Sequence, residues 1–285
     1  MLKRRGFRVR NPLLRECMAE FLGTFILLLF GCSAAAQVKT SRETKGQFLS
    51  VNMSFSVGVM SAMYLTKGIT GFCRCPSEPG RNVQFLRVGP GAMEEDAAIL
   101  ALPDAIMHFS GGVLTVYGPN ETASIFATYP SEYVTLGRSF LDQVVGTGML
   151  MLCILCLDEK RNTPAPGSLI PAIVAVIVLG ISMSMSSNCG AAINPARDLG
   201  PRLLTLTAGW GSEVFTCYNY WFWVPLVAPL LGGVSGSFLY LIFIHWHLPD
   251  SDPPKDVDTP SIASNTVKQP SNMPLIGIEL KTASL

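Results

Sequence analysis

The sequence predicts an all-α membrane protein, and three of its properties point that way. Apolar residues occupy 49% of the 285 positions and charged residues only 14%, a balance suited to lipid rather than water. Five runs carry almost no charge over about 20 residues, the length a helix needs to cross a hydrocarbon core of about 30 Å. Two of these runs open on a similar pattern, Glu20-Phe21-Leu22-Gly23-Thr24 and Gln143-Val144-Val145-Gly146-Thr147. The chain therefore reads as a duplicated unit, as in channels and transporters built from repeats.

The first span is predicted over residues 17–38. Lys3, Arg4, Arg5, Arg8, Arg10 and Arg15 precede it, and an excess of basic residues places the amino terminus in the cytoplasm. The run is long and Glu20 interrupts it, so it reads as a retained span rather than a cleaved leader. A second span is predicted over 48–65. No third span is visible, because Arg87, Glu94, Glu95, Asp96 and Asp104 break up residues 83–109. The longest uncharged run there, 97–103, is far shorter than a crossing helix requires. Further spans are predicted over 139–157, 168–185 and 221–244. Asp158-Glu159-Lys160-Arg161 and the segment to Gly167 read as a short cytoplasmic loop. His245 and His247 mark the membrane exit of the last span. Beyond Leu248 the composition turns to Pro, Ser, Asp and Lys, which cannot bury enough surface to offset the entropy of ordering. Residues 1–248 thus form one membrane domain, atypical over 72–103, and 249–285 a disordered cytoplasmic tail.

Several chemistries find no support. Net charge is +1, without the basic excess that nucleic-acid binding would need. The eight cysteines do not form a disulfide framework: Cys153 and Cys156 lie inside an apolar run, and Cys73 with Cys75 is too sparse for a metal site. No nucleophile–base set, phosphate loop or carboxylate pair is present, so neither an enzyme nor a cofactor or metal is expected. Glu20 and Asp142 stand out instead. A central Asp in a span costs about 2.5 to 3.5 kcal/mol on insertion scales, so such groups serve function or find a buried partner.

The most informative stretch is Asn194-Pro195-Ala196-Arg197-Asp198, between Asn188-Cys189-Gly190 and Leu199-Gly200-Pro201-Arg202-Leu203. Asn brings amide donors and a carbonyl acceptor, and Pro suits the first turn of a helix, whose free backbone amides sit at the positive end of the dipole. A half-helix starting near Asn194 would orient a passing hydroxyl. Irregular backbone at membrane depth is tolerated only inside protein or along a water-filled cavity, which makes a pore wall its natural place.

This stretch, with Asp198 after the pore Arg and Phe126-Ala127-Thr128-Tyr129-Pro130 in a long loop, resembles aquaglyceroporins. These are the glycerol-conducting branch of the major intrinsic protein (aquaporin) family, and the resemblance covers residues 14–71 and 104–248. It implies an aquaporin-like bundle of six transmembrane helices plus two re-entrant half-helices as an inverted repeat. It also implies a homotetramer in the cell membrane, one pore per subunit, with both termini cytoplasmic if six spans form. Glycerol and water are the implied solutes, with urea and other small neutral solutes as further candidates. Selectivity would come from pore width, lining donors and a positive barrier. The implied ring comprises Phe55, Ala191 and Arg197 with a fourth position in the fifth span, either Gly180 or Ser182. None of His108, His245 and His247 lies near that span, so a wide ring of low polarity is expected.

The first half departs from the pattern. By the repeat, Gly71 corresponds to Gly190, which puts Cys75-Pro76-Ser77 in register with the pore motif as a degenerate copy. A thiol is a weak donor in place of an amide. Glu78-Pro79-Gly80 and Gly89-Pro90 follow, and Pro inside a helix costs about 3 kcal/mol, so a normal first half-helix is not expected. Residues 72–103 read as a replaced segment or a divergent loop. Two functions follow: a conducting channel, or a non-conducting membrane protein that assembles with intact relatives. Parity matters too, since without a third crossing Asn120-Glu121-Thr122, an N-glycosylation acceptor sequence, falls on the cytoplasmic side. Asn52-Met53-Ser54 lies within a span and should be unmodified.

Overall fold

A computed structural model describes residues 11–69 and 102–249. Cys75-Pro76-Ser77, the stretch 83–101 and the tail beyond 249 lie outside the described residues. Within them the chain is helical, without a strand.

The helices begin where the sequence supplies caps. Helix α1, Pro12–Thr40, starts with Pro at its first position and the Asn11 side chain accepting from the Leu13 and Leu14 amides at 3.0 and 3.5 Å. Helix α2, Phe48–Thr66, follows a tight turn, with the Gln47 amide donating to Ser50 Oγ at 2.8 Å. Helix α3, Pro103–Ser110, is stopped by Gly111 and Gly112, at φ 67° and 81°, a region that favours glycine. After a long loop come α4, Leu136–Asp158, and α5, Ile170–Cys189. The short α6, Pro195–Thr205, leads through a wide turn, Leu206–Trp210, to α7, Glu213–Tyr220, and α8, Val224–Phe243. Among the described residues, five segments are long and apolar enough to cross a membrane: α1, α2, α4, α5 and the run Glu213–His247 that contains α8.

The duplication seen in the sequence reappears in the packing, with α1 on α2 in one half, α4 on α5 in the other, and α2 against α5 between them. Glycine sets the closest approaches, as expected where helices associate without a hydrophobic drive. A Cβ on Gly58 of α2 would lie 2.9 Å from the Leu27 carbonyl of α1, and one on Gly236 of α8 would lie 2.8 Å from Gly148 Cα of α4.

Side chains tie the helix ends into two opposite groups. At one end Tyr64 donates to the Ser168 carbonyl at 2.8 Å and Lys67 to that of Gly167, joining the close of α2 to the loop before α5. In the same loop Arg161 holds Glu159 through two hydrogen bonds at 3.1 and 3.2 Å, Tyr240 donates to that carboxylate at 2.8 Å, and the His245 ring is 3.1 Å away. The Arg161 side chain above all, aided by Tyr240, the Arg161 amide and His245, holds the Glu159 carboxyl at about 2 against the opposing effect of burial. At the other end Lys39, closing α1, pairs with Glu121 and donates to Ser124 Oγ at 2.6 Å. Asn120, exposed beside Glu121, therefore belongs to the end opposite the 159–168 loop. That is the side the six-span topology requires.

Candidate functional site

The site is built around the start of α6. Asn194 is extended, at φ −138° and ψ 113°, and its Oδ1 accepts from the Ala196 and Arg197 amides at 3.0 and 3.4 Å. With the carbonyl used as a cap, the part of the side chain left to face a solute is the NH₂ donor. Pro195 fills the first helical position, where an amide would have had no intrahelical partner.

Two residues of α4 brace the strand-like approach to this helix. Gln143 donates to the Gly190 carbonyl at 3.1 Å, and Asp142 accepts from the Asn188 amide at 3.0 Å. The costly in-span acid thus has a part-buried partner. Gly190 sits at φ 67°, and a Cβ there would lie 3.2 Å from Thr128 Cγ2, so both backbone and space favour glycine.

Asp198 does not face the cavity. Fully buried, it accepts from the Thr128 amide at 2.8 Å and from the Thr128 hydroxyl, and pairs with Arg202 one turn on at 2.9 Å. Arg202, 1% exposed, also donates to the Val214 carbonyl at 2.6 Å and the Thr128 carbonyl at 2.5 Å. Its guanidinium carbon lies 4.5 Å from the Tyr129 ring centroid. The pair locks α6 to the Phe126–Pro130 loop and to α7. Desolvation of two charges is offset only when the remaining donors and acceptors are also satisfied, and here most of the guanidinium is. The role of Arg202 is not legible in the sequence, since nothing local shows that the carbonyls it meets lie 74 positions back and 12 ahead.

A cavity of about 500 Å³ runs past this arrangement, from Glu20, Met63 and Thr66 at one end to Phe48 and Ser124 at the other. Asn194, Ala196 and Arg197 form part of its wall, together with Ala191 and Phe55. Arg197 donates to the Phe126 carbonyl at 2.9 Å, and its guanidinium carbon lies 4.8 Å from the Phe55 ring centroid, within cation–π range. Phe55, Ala191 and Arg197 are thus brought to one cavity.

Gly180 is not. It is exposed, and a Cβ there would meet nothing within 4 Å. Val178, Ser182 and Ser186 line the cavity instead. Positions four apart share a helix face, whereas two residues turn it by about 200°. Of the two alternatives for the fourth ring position, Ser182 lines the cavity and Gly180 does not.

Comparisons with known proteins fit this geometry. The profile described as Major intrinsic protein matches residues 8–77 and 105–240. The first matched segment therefore ends on Cys75-Pro76-Ser77, and 78–104 falls between the two matches. The chain is 39% identical over 290 residues to Aquaporin-10 from Homo sapiens, covering 96% of this chain and 95% of that protein. It is 39% identical over 264 residues to Aquaporin-9 from Rattus norvegicus (86% and 88% covered) and 40% identical over 260 residues to Aquaporin-7 from Mus musculus (85% and 84%). Among solved structures, the aquaglyceroporin from Plasmodium falciparum superposes with a TM-score of 0.62 at 23% identity, covering 82% of this chain and 98% of that one. That likeness establishes the fold. With the profile matched along both halves and relatives aligned over most of its length, the chain belongs to the major intrinsic protein family.

Proposed function

We propose that the chain is a passive membrane channel for glycerol and water. The observation that carries this is the convergence of Asn194, Arg197 and Phe55 on one cavity that extends between the two ends of the bundle. Asn194 and Arg197 offer donors to hydroxyls in single file, the permanent charge of Arg197 opposes cations, and Phe55 offers an apolar face to a carbon backbone. Ala191 and Ser182 leave the remaining sides of the passage small, which favours a solute wider than water. Relatives named as aquaporins and a structural neighbour named as an aquaglyceroporin support the reading.

Urea is a further candidate solute on the same grounds of size and neutrality. The family resemblance supports a homotetramer in the cell membrane, and the basic segment before α1 supports cytoplasmic termini. With that orientation Asn120 is external and open to glycosylation. Cys75-Pro76-Ser77 would take the place of the first pore motif, with residues 249–285 as a cytoplasmic tail.

One observation favours a second reading. The profile match breaks off over residues 78–104, where charge and proline interrupt the first half, so a chain that assembles with intact relatives without conducting is the alternative. Stopped-flow swelling of liposomes holding the purified full chain in a glycerol gradient decides between them. The channel reading expects swelling faster than empty vesicles, and equal rates would overturn it.

A further inference from the structure

Phe55 does not stand alone in the pore wall; its ring rests against α1 at Gly31. A Cβ on Gly31 would fall 2.5 Å from Phe55 Cζ and closer still to Cδ1 and Cε1. Real carbon atoms rest at about 3.5 to 4.0 Å, so any side chain at position 31 would drive the ring away by roughly 1 Å or more. The same ring faces the Arg197 guanidinium, whose carbon lies 4.8 Å from its centroid. Arg197 is itself held by the Phe126 carbonyl at 2.9 Å and by its place in the first turn of α6, so it is poorly placed to retreat. Space taken from behind Phe55 is therefore space lost from the cavity that Phe55 and Arg197 both line.

We propose that Gly31 is a specificity-determining positioning residue, which sets the bore by letting the Phe55 ring withdraw into α1. The proposal rests on the channel reading given above. Gly31 is buried and does not line the cavity, so it touches no solute and acts only through the ring. A narrowed passage penalises a carbon-chain polyol more than water, because selectivity here follows diameter. The role is distinct from the backbone packing that Gly58 serves between α1 and α2: the obstacle at Gly31 is an aromatic side chain, whereas the obstacle at Gly58 is the Leu27 backbone.

The test compares osmotic water and glycerol permeabilities in liposomes of the full-length chain. Gly31→Ala is expected to lower glycerol permeability about fivefold or more while water permeability changes less than about twofold. Adding Phe55→Leu, which shrinks the obstructing group, should restore the glycerol-to-water ratio. A simple packing defect would lower both permeabilities together and would not be rescued; either result overturns the proposal. Should Gly31→Ala alone fail to fold, the comparison of Phe55→Leu with Gly31→Ala/Phe55→Leu still decides. The proposal expects the same ratio in both and is overturned by a fall in the second. A wild-type chain without glycerol flux removes the channel reading itself, whereas a conducting wild type with an unselective Gly31→Ala defect removes only the role of Gly31.

Discussion

Arg197 and Phe55 meet across the cavity, guanidinium over ring, with the guanidinium carbon 4.8 Å from the ring centroid. The charge is thereby held at the wall rather than free to follow a solute. Replacing Arg197 with Val should remove the positive barrier while leaving the passage open. Glycerol flux should persist within about twofold, and proton or sodium leak in a voltage-clamped bilayer should rise about tenfold or more. An unchanged leak would separate cation exclusion from this residue.

Asp198 and Arg202 make the opposite use of charge. Asp198→Asn keeps the shape but leaves Arg202, 1% exposed, without its counter-ion. Loss of one partner from a buried pair costs about 3 to 5 kcal/mol. The expected outcome is a large drop in the thermal unfolding midpoint in detergent and poor recovery of folded protein. Full stability would mean that the hydrogen bonds to Thr128 and Val214 suffice.

Ser182 and Gly180 give a paired comparison on one helix. Ser182→Phe should abolish glycerol flux by filling the cavity, whereas Gly180→Phe, projecting outward where no atom lies within 4 Å, should retain flux within about twofold. The reverse result would place Gly180, not Ser182, at the passage.

Gly236 sets the distance between α8 and α4. A Leu there has no space, since even Cβ would lie 2.8 Å from Gly148 Cα. Overpacking of this kind costs about 1 to 3 kcal/mol or more, measurable as a lowered unfolding midpoint or loss of folded protein on size exclusion.

The Glu159 cluster predicts a direction with pH. Its carboxyl titrates at about 2 in the folded chain, below its ordinary value of 4.5. A lowered folded value means that the stabilisation is complete above the unfolded value and fades as pH falls from there through about 2. Unfolding midpoints of wild type and Glu159→Gln should therefore differ at pH 7 and converge toward pH 2. A constant difference would show that the contact acts through packing alone.

Much of the fold was legible because lipid imposes simple length and charge rules. The predicted span 48–65 became Phe48–Thr66 and 139–157 became Leu136–Asp158, errors of a turn or less. The half-helix at Pro195 was legible from Asn-Pro, whose local chemistry dictates the cap. The fourth ring position was not, because the sequence allows either Gly180 or Ser182 and only the phase of the folded helix brings Ser182 to the cavity wall. Gly31 was invisible for a different reason: a glycine in an apolar run carries no sign of the side chain that rests on it. Asp198 was read as a marker of the family branch, and its partner Thr128, 70 positions away, could not be inferred from local pattern.

That separation between Thr128 and Asp198 has a consequence for biogenesis. The re-entrant segment carries Arg197, Asp198 and Arg202 into a low-dielectric setting, and the Asp198–Arg202 pair leaves donors and acceptors that only Thr128 and Val214, outside the segment, satisfy. The loop preceding α4 must be in place before α6 can settle, so the second half of the pore is completed late, after its flanking spans have been inserted. Damage to residues 126–130 should then yield chains with correctly inserted spans but an unseated α6, a defect that quality control would meet as a fully integrated yet unfinished protein.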